Sequence, residues 1–300
     1  MNMSAHDLMV QAIVAAHPDL ALPLQSKTPV IFNNDAPVYR AAKQACILLG
    51  FIEPDAQCLA QAWQSMATRT GQFNATDWPD QAVDFGMLIF PRAEGFAACP
   101  KKLGLYAVLP DANWVGRMAR AGVPTVQLRF KSDDVQAVQR EIRAAVKAVQ
   151  GTSALLFIND HWQTAINAGA YGVHLGQEDM QLANLQTIRK AGLRLGLSSH
   201  GYAEMMQADK FSPSYLAVGA IFPTTLKRMR TEPQGTGRLN AYAGLMHDYP
   251  LVAIGGIDQG RLPKVLASGV GSVAVVRALV AAEHPEEMAA CLQAEILNYF

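Results

Sequence analysis

From Leu103 onward the chain repeats one unit: a short apolar run rich in β-formers, then a segment with helical period. The runs are LGLYAVLP (103–110), TVQLRF (125–130), ALLFIND (154–160), GVHLG (172–176), RLGLSSH (194–200), YLAVGAI (215–221), LVAIGGI (251–257) and SVAVVRAL (272–279). Near-continuous apolarity suits parallel strands covered on both faces. The segments between them, such as DDVQAVQREIRAAVKAVQ and PEEMAACLQAEILNYF, place apolar residues at helical spacing. Gly122, Gly192 and Gly269 stand where helices prefer to end. Eight such units leave two architectures, a (β/α)8 barrel or a doubly wound open sheet. The count favours the barrel. LYAVLPDANW also lacks the G-x-G-x-x-G that a dinucleotide-binding sheet carries after its first strand.

Residues 1–101 do not share this rhythm. APVYRAAKQACILLG (36–50) and PDAQCLAQAWQSMATRTG (54–71) read as helices among Pro- and Asn-rich turns, and 87–102 reads as a connector. The expectation is a small helical N-terminal extension over 1–101, packed on the barrel or on a partner, and a barrel over 102–300. The extension shows no phosphate loop and no metal-ligand pair.

Twenty-five basic and 25 acidic side chains balance, which argues against a nucleic-acid binder. No apolar run approaches the ~18 residues that span a bilayer. The N-terminus lacks a basic region and carries Asp7 in its apolar part, unlike a signal peptide. A cytoplasmic location follows as the default. The four cysteines have no C-x-x-C spacing and read as reduced, packed thiols. Nothing marks an oligomer interface, and a homo-oligomer stays compatible with the chain.

In a (β/α)8 barrel the chemistry sits where strands end. Period 2 puts Gln127, Arg129 and Lys131 on one face of the second run. The third run ends in Asn159-Asp160, and the fourth is followed by Gln177, Glu178 and Asp179. The fifth ends in Ser198, Ser199 and His200, and the sixth runs into Thr224, Thr225 and Lys227. The seventh ends in Gly255-Gly256, and the eighth carries Val276-Arg277. Two acids on neighbouring loops, Asp160 and Asp179, suit a hard cation such as Mg²⁺, which takes one or two carboxylates plus phosphate oxygens. Arg129, Lys131 and Lys227 suit the same phosphates. Plain alternatives exist for single residues. Asp160 suits a helix N-cap as well as a metal. His174 reads as a hydrogen-bonded core histidine rather than a ligand, and His200 stays open. The plain readings do not explain why polar groups of both signs recur at the same end of successive strands.

QLRFK, LFIND, YGVHLGQED, GLSSH, FPTTLK and AIGGI, in this order, closely resemble the thiamine-phosphate synthase family over about Leu103 to the C-terminus. The resemblance implies the (β/α)8 fold. It implies a transferase that joins 4-amino-2-methyl-5-hydroxymethylpyrimidine diphosphate to thiazole phosphate or its carboxylate. The products are thiamine phosphate and pyrophosphate. It also implies Mg²⁺ held by Asp160 and Asp179. Gln127, Leu128, Arg129, Phe130, Lys131, Asn159, Ser198 and Lys227 are then expected to hold the pyrimidine diphosphate. Arg129, Lys131 and Lys227 are expected to stabilise the leaving group. Thr224, Thr225, Leu226, Gly256, Val276 and Arg277 fall where the family binds the thiazole phosphate. Two positions depart from the family pattern: PTTLK stands for P-T-x-T-K, so Leu226 replaces a hydroxyl, and VRAL stands for V-S-A-I, so Arg277 replaces serine. Two other functions compete. A thiazole tautomerase on the same barrel has no need of the complete diphosphate and metal set. A non-catalytic sensor of phosphate ligands would bind thiamine phosphate without turnover, with residues 1–101 as its output module.

Overall fold

The structure, a computed structural model, describes residues 3–23, 30–225 and 231–299. Eight parallel strands form a closed barrel in chain order. They are β1 Gly104–Leu109, β2 Thr125–Leu128, β3 Leu155–Asn159, β4 Gly172–Leu175, β5 Arg194–Ser199, β6 Tyr215–Val218, β7 Leu251–Ile254 and β8 Ser272–Val275. β1 pairs with β2 on one side and with β8 on the other, which closes the ring. The outer layer comprises α4 Ala112–Arg120, α5 Val135–Ala148, α6 Trp162–Ala168, α7 Gln177–Leu182, α8 Leu185–Lys190, α9 Tyr202–Asp209, α10 Gly235–Leu245, α11 Leu262–Leu266, α12 Arg277–Val280 and α13 Pro285–Tyr299. Each of the eight apolar runs contains one strand. No helix among the described residues is long and apolar enough to cross a membrane.

A closed eight-stranded barrel has an interior just wide enough for side chains to fill. Here Tyr106, Phe157 and Tyr215 fill it, with ring centroids 5.1–6.0 Å apart. The neighbouring strands make room with glycine. A Cβ at Gly172 would lie 2.5 Å from the Phe157 ring, and one at Gly196 would lie 2.1 Å from the Tyr215 ring. Large residues on some strands thus require the smallest residue on others.

Ahead of the barrel lie α1 Ala5–Ala16, α2 Pro37–Leu48 and α3 Glu53–Thr70. The two helices expected at 36–50 and 54–71 correspond to α2 and α3. α1 was not foreseen, although its signal was present. Ser4 Oγ accepts from Asp7 N at 3.1 Å while the Asp7 carboxylate accepts from Ser4 N at 3.3 Å, a reciprocal capping box.

These helices continue the barrel's outer core. Leu20, Leu49, Phe51 and Leu59 belong to the same apolar cluster as Leu197, Tyr202 and Tyr242. Polar bonds fix the contact. The buried Arg238 guanidinium donates to the Leu20 and Leu49 carbonyls, at 2.9 Å each, and lies 3.6 Å from the Phe51 ring centroid. Trp78 Nε1 donates to the Tyr202 hydroxyl at 2.9 Å. The Asp55 carboxylate, 3% exposed, accepts from Ala203 N at 2.8 Å. Burial pushes that carboxyl up from 3.8 to about 6, against the Ala203 amide and Arg238, which pull it down, and with Glu204, which raises it further.

Two outcomes follow. Gly196→Ala should cost at least about 1–3 kcal/mol in chemical unfolding through overpacking. Gly244→Ala, which meets nothing within 4 Å, should leave stability unchanged or slightly raised. For Asp55, a raised folded pKa means that the group's stabilising contribution is complete below its unfolded value and is lost as pH rises through about 6. The unfolding free energy of Asp55→Asn, measured against the parent, should therefore move in the variant's favour between pH 4 and 7. The size is on the order of 3 kcal/mol, with a plateau above.

Candidate active site

All strands point their C-terminal ends to one mouth, where a cavity of about 740 Å³ opens above the aromatic fill. Its floor is a hydrogen-bonded chain. Gln127 Nε2 donates to the Tyr106 hydroxyl at 3.0 Å, and the Tyr106 and Tyr215 hydroxyls lie 2.7 Å apart. His174 Nδ1 meets the Tyr215 hydroxyl at 2.8 Å, and His174 Nε2 meets Ser198 Oγ at 2.8 Å. Protons assigned in one direction, from Gln127 towards Ser198, give every link one donor and one acceptor. Burial raises both phenols far above their ordinary range, which keeps them protonated donors. His174 is thus the hydrogen-bonded core histidine expected, and it also lines the cavity. The structure adds a Ser198–His174 pair that sequence reading had not found. Its third member is a phenol rather than a carboxylate, so it lacks the group that would orient and charge-stabilise a serine-activating base.

On one side of the mouth β2 and β3 deliver Gln127, Arg129, Lys131, Asn159 and Asp160 to the cavity wall. Leu128 and Phe130 do not reach it. Strand alternation turns both outward, Leu128 into the core cluster and Phe130 against it, so only their backbone is available to a ligand. Asp160 is not an N-cap: α6 begins after His161 with no side-chain cap. Asp160 instead sits at φ 63°, a left-handed conformation that aspartate tolerates better than most residues, with its N bonded to His174 O. Its carboxylate accepts from the Asn159 amide and lies within hydrogen-bonding reach of Asp179. Burial first, then the Asp179 charge, hold its carboxyl above the usual range, against Lys131.

Gly176, which follows β4, adopts an ordinary extended conformation at φ −75°. Its value is space, since a Cβ there would lie 3.1 Å from Asp179 Oδ2. Gln177 Nε2 donates to the Ser198 carbonyl at 2.6 Å and ties α7 to the end of β5. The amide and carboxylates that follow β4 therefore have distinct places: Gln177 braces β5, while Glu178 and Asp179 line the mouth.

Across the mouth, Ser198, Thr224, Gly256, Val276 and Arg277 line the same cavity. Gly255 and Gly256 both have positive φ, 104° and 65°, which explains the paired glycines there. Thr225 stands outside the lining and takes a hydrogen bond at 3.2 Å from Arg277, which bridges the β6 and β8 loops. Leu226 and Lys227 lie outside the described residues. Sequence reading missed Tyr106, Tyr215 and Arg261. The alternation that placed Gln127 inward would have placed Tyr106 beside it. Arg261, which lines the cavity and donates to the Gly256 carbonyl, had only its position just after Gly255-Gly256 to mark it.

Among the described residues no cluster of three or more His, Cys, Asp or Glu side chains forms a metal cage. Two neighbouring carboxylates, of which burial and the Asp179 charge hold Asp160 above its usual range, nonetheless fit Mg²⁺, which takes one or two carboxylates and leaves its other positions to water and phosphate.

A barrel whose mouth gathers cations, paired carboxylates and glycine turns offers the groups that small phosphorylated molecules require. The sequence profile of the thiamine monophosphate synthase family matches residues 105–279. The chain belongs to that family, and with it to the transferases of thiamine biosynthesis. It is 53% identical over 199 residues to a thiamine-phosphate synthase of Neisseria meningitidis serogroup B, a match that takes in 66% of this chain and 97% of that protein. A Yersinia pestis thiamine-phosphate synthase is 50% identical over 188 residues, 63% of this chain and 87% of that one. The solved thiamine phosphate pyrophosphorylase of Pyrococcus furiosus superposes with a TM-score of 0.59 at 25% identity, over 67% of this chain and 98% of that one.

Because Asp160 is raised by burial and by Asp179, the pair destabilises the metal-free fold as pH rises through the Asp160 range. In metal-free buffer Asp179→Asn should raise the melting temperature at pH 7. The gain should shrink as pH falls and Asp160 becomes protonated in parent and variant alike.

Proposed function

We propose that this chain joins the aminopyrimidine diphosphate to thiazole phosphate, or to its carboxylate, and releases pyrophosphate and thiamine phosphate. The observation that carries this reading is the placement of two charge sets in one cavity: Arg129, Lys131, Asp160 and Asp179 on one side, Gly256, Arg261 and Arg277 on the other. Two anionic substrates thus have separate ends and a shared centre. We take residues 102–300 as the catalytic barrel and residues 1–101 as an accessory layer. The four cysteines are free, which agrees with a reducing compartment, and we place the reaction in the cytoplasm.

In this mechanism Gln127, Asn159 and Ser198 hold the pyrimidine diphosphate over the tyrosine floor. Asp160 and Asp179 would hold Mg²⁺, which when bound neutralises diphosphate charge and favours its departure. Arg129 and Lys131 lie where negative charge grows as the C–O bond to the diphosphate breaks, and stabilise it electrostatically. Lys227, outside the described residues, is assigned the same task from the motif. The ring amino group shares the positive charge left on the pyrimidine carbon. The thiazole nitrogen then attacks, positioned by Thr224, Gly256, Val276 and Arg277, with Thr225 beside them and Leu226, outside the described residues, assigned from the motif. No covalent enzyme intermediate is needed, in keeping with the Ser198–His174 pair lacking a carboxylate partner. A tautomerase would not require the carboxylate pair and the cations together.

Lys131→Ala should lower turnover at least about tenfold, since a positioned charge in a shielded site is worth a few kcal/mol. Parent turnover in that variant would remove Lys131 from the mechanism. Arg277→Ser should raise KM for the thiazole phosphate several-fold, on the order of one charge-assisted bond, while KM for the pyrimidine diphosphate stays put.

A further inference from the structure

We propose that Asp55, carried by the N-terminal segment, is a positioning residue for the loop between β5 and α9, and through it for the Ser198–His200 wall of the cavity. The proposal rests on the reading of that cavity as the synthase site. α9 begins two residues after His200, which lines the cavity with Ser198. Its first turn is held from outside, where the Asp55 carboxylate accepts from Ala203 N at 2.8 Å. The contact requires glycine at 201, because a Cβ there would lie 2.1 Å from Asp55 Oδ2. On the loop's other side Glu204 accepts from His200 N at 2.9 Å and bonds His200 Nδ1 at 2.6 Å. The loop is therefore suspended between two carboxylates, and only Glu204 belongs to the barrel's own helix.

The same segment grips α9 elsewhere. Arg92 donates to the Asp209 carbonyl and carboxylate at the helix C-terminus, and Phe85 stacks on Tyr202 with centroids 5.6 Å apart. An anion at the N-terminus and a cation at the C-terminus both match the helix dipole. Both come from residues outside the family match at 105–279. A relative matched over 97% of its length by 199 residues of this chain has no room for a segment of comparable size. The contact is thus an addition to the barrel. It is also costly: burial holds the Asp55 carboxyl at about 6, so its charged form at neutral pH works against the fold.

The test uses the full chain at pH 8 with three variants. For each, hydrogen exchange of residues 199–204 is followed alongside KM and kcat for both substrates. Asp55→Ala should speed exchange in that segment at least about tenfold. It should also raise KM for the pyrimidine diphosphate on the order of fivefold, with a smaller change for the thiazole phosphate. Asp55→Asn, which keeps an acceptor for Ala203 N, should restore most of both. Gly201→Ala, which displaces the loop while Asp55 stays, should reproduce the alanine phenotype if Asp55→Ala fails to fold. Folded Asp55→Ala or Gly201→Ala with parental exchange and parental KM would overturn the proposal. Absence of synthase activity in the parent would instead sink the functional reading, and the exchange data would still judge the positioning.

Discussion

The packing of Tyr106, Phe157 and Tyr215 against Gly172 and Gly196 is the constraint on which the rest depends. It fills the lower barrel so that the ring can close without a void. It also decides where the cavity starts, because the two tyrosine hydroxyls end the apolar fill and begin the polar chain through His174 to Ser198. One set of side chains is thus core on one side and site floor on the other. The charged groups lie above this floor, on loops that the fixed strand ends aim at a common centre.

The parts of this arrangement visible in the sequence were those governed by local pattern. Eight apolar runs became eight strands because buried parallel strands show little else. The charged strand ends reached one mouth because parallel strands share a direction. Alternation placed Gln127 correctly, and the same rule shows why Leu128, named with its motif, turns into the core. Other features depend on contacts distant in sequence. Tyr106 and Tyr215 are separated by 109 residues and look like ordinary strand aromatics until the barrel closes. Gly176 looks in the sequence like any glycine after a strand, yet its reason is the Asp179 carboxylate lying over it, which no backbone pattern encodes. α1 is marked in the sequence by Ser4 and Asp7, a capping-box pair that is short and local, while the residues between its caps show no apolar stripe as regular as those of α4 and α5.

The N-terminal layer shows how a complete barrel accepts an addition. Its apolar side merges with the outer core at Phe51 and Leu59, and its polar groups answer needs of α9 and α10. Arg238 donates to two carbonyls from the layer and also to Gln234, whose N closes the β6 loop onto Ala220 O. Both helices follow strands whose ends shape the cavity. The layer therefore touches the site through the scaffold, while its own side chains stay outside the lining.

In the proposed function one cavity couples diphosphate departure to capture by a thiazole nitrogen. The most direct measurement incubates the purified chain with both substrates and Mg²⁺, and quantifies thiamine phosphate and pyrophosphate together, with and without EDTA. Equal amounts of the two products are expected, both abolished by the chelator. Pyrophosphate without thiamine phosphate, or ligand binding with neither product, would contradict the proposed function.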